Sequence, residues 1–248
     1  MCGRYVSATP PDQLAQYFGA ESMLESDRGR ADAQTGRAWT ANYNVAPTHA
    51  VVTVYEQDGG RRLDRFHWGL VPFWAKDPKI GSKMINARAE TLHEKQSFKR
   101  PFAKKRCIIP ADGFYEWKRV EGHKRKQPMY LTSIDGAPLA FAGVWDVWKD
   151  RNCLDEAGEP LELYSCTIIT GEPNERVAEV HDRMPVMLPP DVWDTWLDRD
   201  NHDVDGLRSF LVPAPAELIR LHPVSTDVNN VRNNRSSLIE EATPISDG

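Results

Sequence analysis

Short apolar runs separated by Gly, Pro and Asp recur along most of the chain. Runs of this length that are rich in β-branched residues are typical of strands rather than helices. The pattern predicts strands at residues 50–55, 106–110, 129–133, 139–144 and 163–170.

Helical patterns are fewer, and two of them begin with a clear start signal. We expect helices at residues 11–18, 90–94, 174–180 and 190–197. The first follows Pro10-Pro11-Asp12 and the last follows Pro189-Pro190-Asp191, and Pro with an acidic residue is favoured in the first turn of a helix.

Strands therefore outnumber helices and do not alternate with them regularly. This order favours an α+β fold, a single domain built around mostly antiparallel, barrel-like β-sheet with a few flanking helices. We expect the domain to cover residues 1–235, with mobile surface inserts at 21–38 and 150–162. Residues 236–248 are expected to form a tail that is frayed from about Glu240.

Charge is distributed unevenly over the 248 residues, whose formal net charge is −5. Residues 76–126 hold fifteen Lys and Arg against six Asp and Glu, a surplus of nine positive charges, so the rest carries a surplus of fourteen negative ones. Such a stretch fits a local nucleic-acid site or a solvated surface, and charge alone does not separate the two.

The four cysteines, Cys2, Cys107, Cys153 and Cys166, form no C-x-x-C pair. No His pair has the spacing of zinc ligands either, so we predict no metal. The sequence has no apolar signal region and no membrane-spanning run, so we expect a cytoplasmic protein with reduced thiols and no membrane partner.

Cys2 becomes the terminal residue once Met1 is removed, and it then carries an α-amine and a thiol on adjacent carbons. Such an aminothiol reacts with an aldehyde: the amine forms a Schiff base, and the thiol then closes a thiazolidine ring. The reference pKa values of both groups leave useful nucleophile fractions at neutral pH. From its position alone, Cys2 is better explained as a small residue at the start of a strand.

Two residues are candidates for proton transfer. Glu116 lies between Tyr115 and Trp117, where desolvation would raise its pKa, although the same residue fits a solvent-facing strand position. His181 precedes Asp182-Arg183 and is either a general acid or base or a residue at a helix end.

Other polar and aromatic residues suit a nucleic-acid ligand. Asn86 can orient a reactant or satisfy a turn, Arg88 is a phosphate candidate, and Arg183 can bind phosphate or pair with Asp182. Trp68 is expected in the core, whereas Trp74 lies near a loop where a base could stack on it.

Several motifs occur in a fixed order, and together they resemble the SOS-response-associated peptidase (SRAP) family over nearly the whole chain. The motifs are Met1-Cys2-Gly3-Arg4-Tyr5, Tyr43-Asn44-Val45-Ala46-Pro47, Trp68-Gly69-Leu70-Val71-Pro72, Asn86-Ala87-Arg88-Ala89-Glu90-Thr91, Gly113-Phe114-Tyr115-Glu116-Trp117, His181-Asp182-Arg183-Met184-Pro185, Pro223-Val224-Ser225 and Val228-Asn229-Asn230.

The resemblance implies an abasic-site sensor that binds single-stranded DNA and shields the lesion through a thiazolidine cross-link. Cys2 is then the nucleophile, Asn86 positions the amine or sugar, and Glu116 and His181 handle protons. The implied DNA contacts are phosphates at Arg4, Arg88 and Arg183, the lesion at Thr170, and bases at Trp74 and Pro47.

We expect no cofactor, a monomer because the site is self-contained, and a cytoplasmic protein that joins the nucleoid when bound to DNA. Whether lyase chemistry competes with cross-linking stays open. Two rival functions also remain: a thiol peptidase or self-processing protease that uses Cys2, Glu116 and His181, and a non-covalent single-strand binder in which Cys2 is structural.

Overall fold

A computed structural model describes residues 2–24 and 39–245. In these two ranges the chain forms thirteen strands. Their bounds are β1 Tyr5–Ser7, β2 Glu21–Ser22, β3 Asn42–Val45, β4 Ala50–Gln57, β5 Gly60–Trp68, β6 Asn86–Arg88, β7 Arg106–Ala111, β8 Gly113–Lys118, β9 Gln127–Ser133, β10 Leu139–Leu154, β11 Pro160–Gly171, β12 Met184–Pro185 and β13 Ile219–Pro223.

Five of these strands close into a small barrel in the order β4–β5–β11–β10–β7. All neighbours in the ring are antiparallel except β5 and β11, which pair in parallel at His67 and Trp68. The β4–β5 hairpin turns at Asp58-Gly59, where both residues have positive φ, as a two-residue type I′ turn requires.

A second, fully antiparallel sheet has the order β13–β9–β8–β1–β3. One of its faces packs with the barrel around Tyr5, Phe114 and Leu131. Its other face packs around Tyr115, Tyr130 and Val228. Because alternate strand residues face opposite sides, β1 and β8 contribute to both clusters.

The helices are short, and all but the third pack on the outside of the barrel. Their bounds are α1 Pro11–Phe18, α2 Gln96–Lys104, α3 Glu175–Ala178, α4 Trp193–Leu197 and α5 Val204–Ser209. The described ranges also contain five 3-10 segments, at Pro78–Lys83, Pro190–Val192, Ala216–Leu218, Thr226–Asn229 and Ser236–Ile239. Helical residues such as Phe18, Phe102 and Trp196 fill a second core against the barrel's outer face.

The α+β class, the single domain and the barrel-like sheet are as the sequence predicted. The helix at residues 11–18 has the predicted bounds, and it ends because Gly19 adopts the left-handed conformation. The helix expected at 90–94 is wrong: turns occupy that segment, and the helix begins at Gln96 instead.

Two expectations about surface segments also change. Residues 150–162, expected to be a loop, are mostly strand, because β10 runs to Leu154 and β11 begins at Pro160. The expected tail packs against the domain as far as Ile245: Leu238 is buried, and the Ile245 N–H donates to Gln127 over 2.8 Å. Of the insert expected at 21–38, only 21–24 lies within the described residues.

Candidate active site

The first strand carries the N-terminal segment alongside β8. Tyr5 lies opposite Phe114, and the carbonyl of Arg4 accepts from the N–H of Tyr115 over 3.0 Å. Continuing this antiparallel register brings the segment before Arg4 level with Glu116. The sheet thus places Cys2 and Glu116 in the same region, between the two sheets.

Cys2 is fully buried and belongs to the core cluster between the sheet and the barrel. Burial raises the pKa of the Cys2 thiol, and the nearby charge of Glu116 raises it further. The thiol is therefore protonated at neutral pH and needs a base before it can act as a nucleophile.

Asn86 lies at the start of β6, which pairs in parallel with β11 so that Asn86 is level with Ile168. Its side-chain Nδ2 donates to the backbone carbonyl of Cys2 over 2.8 Å. Its Oδ1 is buried and has no hydrogen-bond partner in the described parts of the chain. The Asn86 side chain thus holds the Cys2 backbone while keeping an acceptor directed into the site.

Glu116 is almost completely buried, and burial raises the pKa of its carboxyl to about 7. The expected pKa rise is present, and its cause is desolvation as expected, but the flanking aromatic residues do not supply it. Tyr115 and Trp117 lie on the opposite face of β8, whereas Glu116 shares its face with Phe114. A carboxyl with this pKa can both donate and accept a proton near neutral pH.

His181 follows α3, and its N–H donates to the carbonyl of Val177. Its Nε2 lies 3.8 Å from Oε2 of Glu116, within ion-pair range but beyond a direct hydrogen bond. Burial lowers the pKa of the imidazole, so the neutral form prevails at pH 7. The Nδ1 atom lies 3.0 Å from the N–H of Arg183 and 2.8 Å from Oδ1 of Asp182, so these two neighbours orient the ring with Nε2 toward Glu116.

Two surface charges act on this pair from outside. The positive charge of Lys126, just before β9, lowers the pKa of both Glu116 and His181. The negative charge of Asp182 raises both. Both effects are smaller than that of burial. Glu116 therefore remains a weak acid, and the imidazole of His181 beside it remains neutral.

Arg4 is held by residues from distant parts of the chain. Its Nη1 donates to Oδ1 of Asn44 over 2.7 Å and to the carbonyl of Val228 over 2.8 Å. The guanidinium also lies 5.8 Å from the ring centroid of Trp117. The structure therefore commits part of Arg4 to the protein, and its predicted phosphate contact stays a prediction.

Arg183 forms an ion pair that the sequence did not predict. Its Nη1 and Nη2 contact the two carboxylate oxygens of Glu90 at 2.6 and 2.9 Å, and Nη2 also donates to the Thr170 carbonyl. Both alternatives weighed for Arg183, phosphate and Asp182, omitted this partner. The sequence feature that could have indicated Glu90 as a site residue is its position inside the Asn86–Thr91 motif.

Arg88 and Thr170 lie side by side, since β6 and β11 pair them in register. Arg88 is exposed, whereas Thr170 is buried, and the Thr170 carbonyl accepts from the N–H of Ala89. Asn86 and Arg88 face the same side of β6, because the residue between them packs the other way. An exposed cation thus lies next to the residue that contacts Cys2.

Pro47 and Trp74 lie on two different loops, and both loops are attached to Trp68. The Pro47 loop is tied to Trp68 by two backbone hydrogen bonds, from Thr48 N–H to the Trp68 carbonyl and from Trp68 N–H to the His49 carbonyl. Trp68 itself is buried, as expected, and Trp74 is well exposed on the loop that follows it.

The described residues contain no cluster of three or more His, Cys, Asp or Glu that could hold a metal ion.

Comparison with known proteins identifies the family of this chain. The family described as SOS response associated peptidase (SRAP) matches residues 1–231. The chain belongs to the SRAP family. A Bacillus subtilis relative named abasic site processing protein YoqW is 42% identical over 240 residues, covering 97% of this chain and 99% of the relative.

Two further relatives extend the SRAP comparison. The Escherichia coli abasic site processing protein YedK is 34% identical over 245 residues, covering 97% of this chain and 99% of the relative. A crystal structure of a Bacteroides thetaiotaomicron protein superposes with a TM-score of 0.80 at 26% identity, covering 98% of this chain and all of the other. No helix in the described ranges is both long and apolar enough to cross a lipid bilayer.

Proposed function

We propose that this SRAP protein processes abasic sites in single-stranded DNA, capturing the open sugar aldehyde covalently through Cys2 after Met1 has been removed. It acts as a monomer and needs no cofactor. Cys2, Asn86, Glu116 and His181 perform the chemistry. The strand contacts are Arg4, Pro47, Trp74, Arg88, Thr170 and Arg183. The names of the relatives support the lesion as the substrate.

The observation that carries the proposal is the convergence of Asn86 and Glu116 on the first residues of the chain. The amide of Asn86 fixes the Cys2 carbonyl over 2.8 Å. A carboxyl with a pKa of about 7 lies close enough for its charge to influence the Cys2 thiol. An orienting donor and a proton-transfer group beside an aminothiol are what aldehyde capture requires.

The reaction proceeds in two balanced stages. The Cys2 amine attacks the aldehyde carbon, and loss of one water leaves a Schiff base, with Glu116 protonating the departing hydroxyl. The Cys2 thiol then adds to the C=N carbon, its proton passes to the nitrogen by way of the Glu116 carboxylate, and the thiazolidine closes. A carboxyl that titrates near pH 7 suits both proton transfers.

His181 supports these steps as a neutral imidazole. Its Nε2 faces Glu116 at 3.8 Å and can exchange a proton with the carboxyl once a small shift or a water joins the two. Because burial lowers the pKa of His181, the imidazole returns the proton readily at pH 7.

A thiol peptidase, which the family description suggests, is supported less well. Such enzymes depend on a thiolate stabilised by a nearby cation or imidazolium. In this site burial raises the pKa of the Cys2 thiol and lowers that of His181, so both groups favour their neutral forms. This arrangement suits an amine that attacks first and a thiol that reacts second.

The test is to mix purified protein with a single-stranded oligonucleotide containing one abasic site and to measure intact mass after denaturation. We expect a mass equal to the chain without Met1 plus the oligonucleotide, less one water. Cys2→Ala should form no stable adduct, whereas the control Cys153→Ala, which removes an exposed thiol, should behave like the native chain.

Two results would contradict the proposal. A full yield of stable adduct with Cys2→Ala would remove the thiazolidine. No adduct with the native chain, despite tight binding of the oligonucleotide, would leave a simple single-strand binder. Cleavage of a generic peptide by the native chain but not by Cys2→Ala would instead support the peptidase.

A further inference from the structure

Two large aromatic side chains are exposed side by side on the loop between β5 and β6. Phe73 is 51% exposed and Trp74 is 41% exposed. Adjacent exposed aromatics are unfavourable in water, and they commonly mark a binding surface. Trp74 has a role in the proposed function, whereas Phe73 has none so far.

The loop that presents them is held firmly to the barrel. The N–H of Phe73 donates to Oδ2 of Asp146 over 3.0 Å, and the Ala75 carbonyl accepts from Nε1 of Trp148 over 2.7 Å. The N–H of Val71 donates to Ser165 Oγ over 2.8 Å. Because these barrel partners are buried, the exposure of Phe73 is fixed by the fold.

A cation from another element lies against Phe73. The guanidinium carbon of Arg100, on α2, is 4.5 Å from the centroid of the Phe73 ring, and Arg100 is itself exposed. The pair joins an aromatic face to a planar cation, an arrangement that suits base stacking and phosphate contact together. Other exposed cations lie near the pair in the sequence, at Lys76 and Lys79 on the same loop and at Lys99 next to Arg100.

This surface is connected to the candidate active site by short chain segments. The loop leaves the barrel after Trp68 and returns at Ile85, and Nε1 of Trp68 donates to the Ile85 carbonyl over 2.9 Å, closing its base. The next residue is Asn86, which contacts Cys2. The loop thus begins and ends beside the site.

We propose that Phe73 and Arg100 bind a further nucleotide of the same single strand, next to the nucleotide at Trp74. This inference rests on the proposed function and adds a direction to it: the strand leaves the site along the loop toward α2. The exposed cations Arg100, Lys76, Lys79 and Lys99 favour a nucleic acid over an apolar protein partner, because phosphates complement their charge.

The test compares affinities for intact single strands of two lengths, about 4 and about 16 nucleotides, spanning the usual range for one binding groove. Phe73→Ala should weaken binding of the longer strand about fivefold, the lower end for one stacked base, and leave the shorter strand unchanged. Phe73→Tyr should restore it. Arg100→Gln should also lower the salt slope by about 0.7.

Arg220→Gln provides the matched control, since Arg220 is exposed on β13 at the edge of the other sheet. It should change neither affinity nor salt slope. Cross-link yield on a short abasic oligonucleotide, measured at saturating protein, should stay native in all these variants. A native chain that forms no cross-link defeats the proposed function.

Native affinity of both Phe73→Ala and Arg100→Gln for the longer strand, in a chain that does cross-link, overturns this inference alone. Concentration-dependent dimerisation of the native chain that Phe73→Ala abolishes would also overturn it. The surface would then belong to a second copy of the chain.

Discussion

The side-chain amide of Asn86 donates to the backbone carbonyl of Cys2 over 2.8 Å. This bond links the first residue of the reactive segment to β6, a strand that is itself registered on the barrel strand β11. The position of the Cys2 backbone is therefore set by the barrel as well as by the sheet that contains β1. In the proposed reaction, this bond orients Cys2 toward the approaching aldehyde.

Asn86→Ala should lower the single-turnover rate of adduct formation by about 100-fold, because a misplaced nucleophile loses its alignment with the reacting carbon. Gel-resolved time courses at saturating protein measure this rate. Affinity for an intact strand, followed by fluorescence anisotropy, should change little. Equal losses in rate and affinity would indicate a general structural role for Asn86 instead.

The raised pKa of Glu116 predicts that the free energy of unfolding depends on pH. Burial raises its pKa in the folded chain to about 7, above the ordinary value of 4.5, so the folded state binds this proton more tightly than the unfolded state. The ionised carboxylate therefore destabilises the fold above pH 7, and the penalty fades between pH 7 and 4.5.

Glu116→Gln removes that titration. Relative to the native chain, we expect the variant to gain stability at pH 8, by at most roughly 3 kcal/mol. The gain should shrink as the pH falls toward 4.5. Urea denaturation of both chains across this range measures the difference, and a pH-independent difference would refute the shifted pKa.

The ion pair of Arg183 with Glu90 predicts competition with phosphate. Glu90 occupies both terminal nitrogens of Arg183, so a strand phosphate has to displace a carboxylate to reach them. Glu90→Gln should therefore bind intact single strand more tightly and show a steeper salt dependence. Weaker binding would mean that Glu90 holds Arg183 in place for the strand.

Arg88 is exposed beside Thr170, and we expect it to contact one phosphate. Arg88→Gln should weaken binding of every single-stranded sequence similarly and reduce the salt slope by about 0.7. Anisotropy titrations over a range of salt concentrations provide the slope. An unchanged slope would remove Arg88 from the phosphate contacts.

The buried side chain of Asn44 leads to a prediction about stability. Its buried Nδ2 faces the carbonyls of Val228, Asn230 and Asn233 at 2.9 to 3.3 Å. Asn44→Ala should destabilise the fold by about 2 kcal/mol, because these carbonyls lose a donor in a buried setting. Thermal denaturation against Asn152→Ala, an exposed Asn on the β10 hairpin, measures it, and equal melting temperatures would contradict this role.

Local signals predicted the elements that depend on local chemistry. The first helix has its expected bounds because Pro11 starts it and Gly19 ends it, both within the segment itself. The second helix was missed, since it contains Pro101 and follows Lys95 rather than a capping side chain. Its formation depends on the burial of Phe102 against the barrel.

The candidate site shows the same division. Motifs indicated Cys2, Asn86 and Glu116 as site residues, but residue type alone does not reveal the face of β8 on which Glu116 lies. The neighbouring Tyr115 lies on the other face of β8 because strand residues alternate. Glu116 is therefore buried on the face that carries Phe114, which packs against the barrel. Arg183 and Glu90 are 93 residues apart, and only the fold brings them together.

The bonds from Arg4 and Asn44 to the Val228 carbonyl have a consequence for synthesis on the ribosome. Arg4 and Val228 are 224 positions apart in the sequence, so the ribosome adds Val228 long after Arg4. Until the segment that contains Val228 has left the ribosome, Arg4 and Asn44 lack this acceptor and the N-terminal segment cannot complete its packing, so it stays accessible to processing enzymes. Synthesis of that segment then supplies the missing carbonyl.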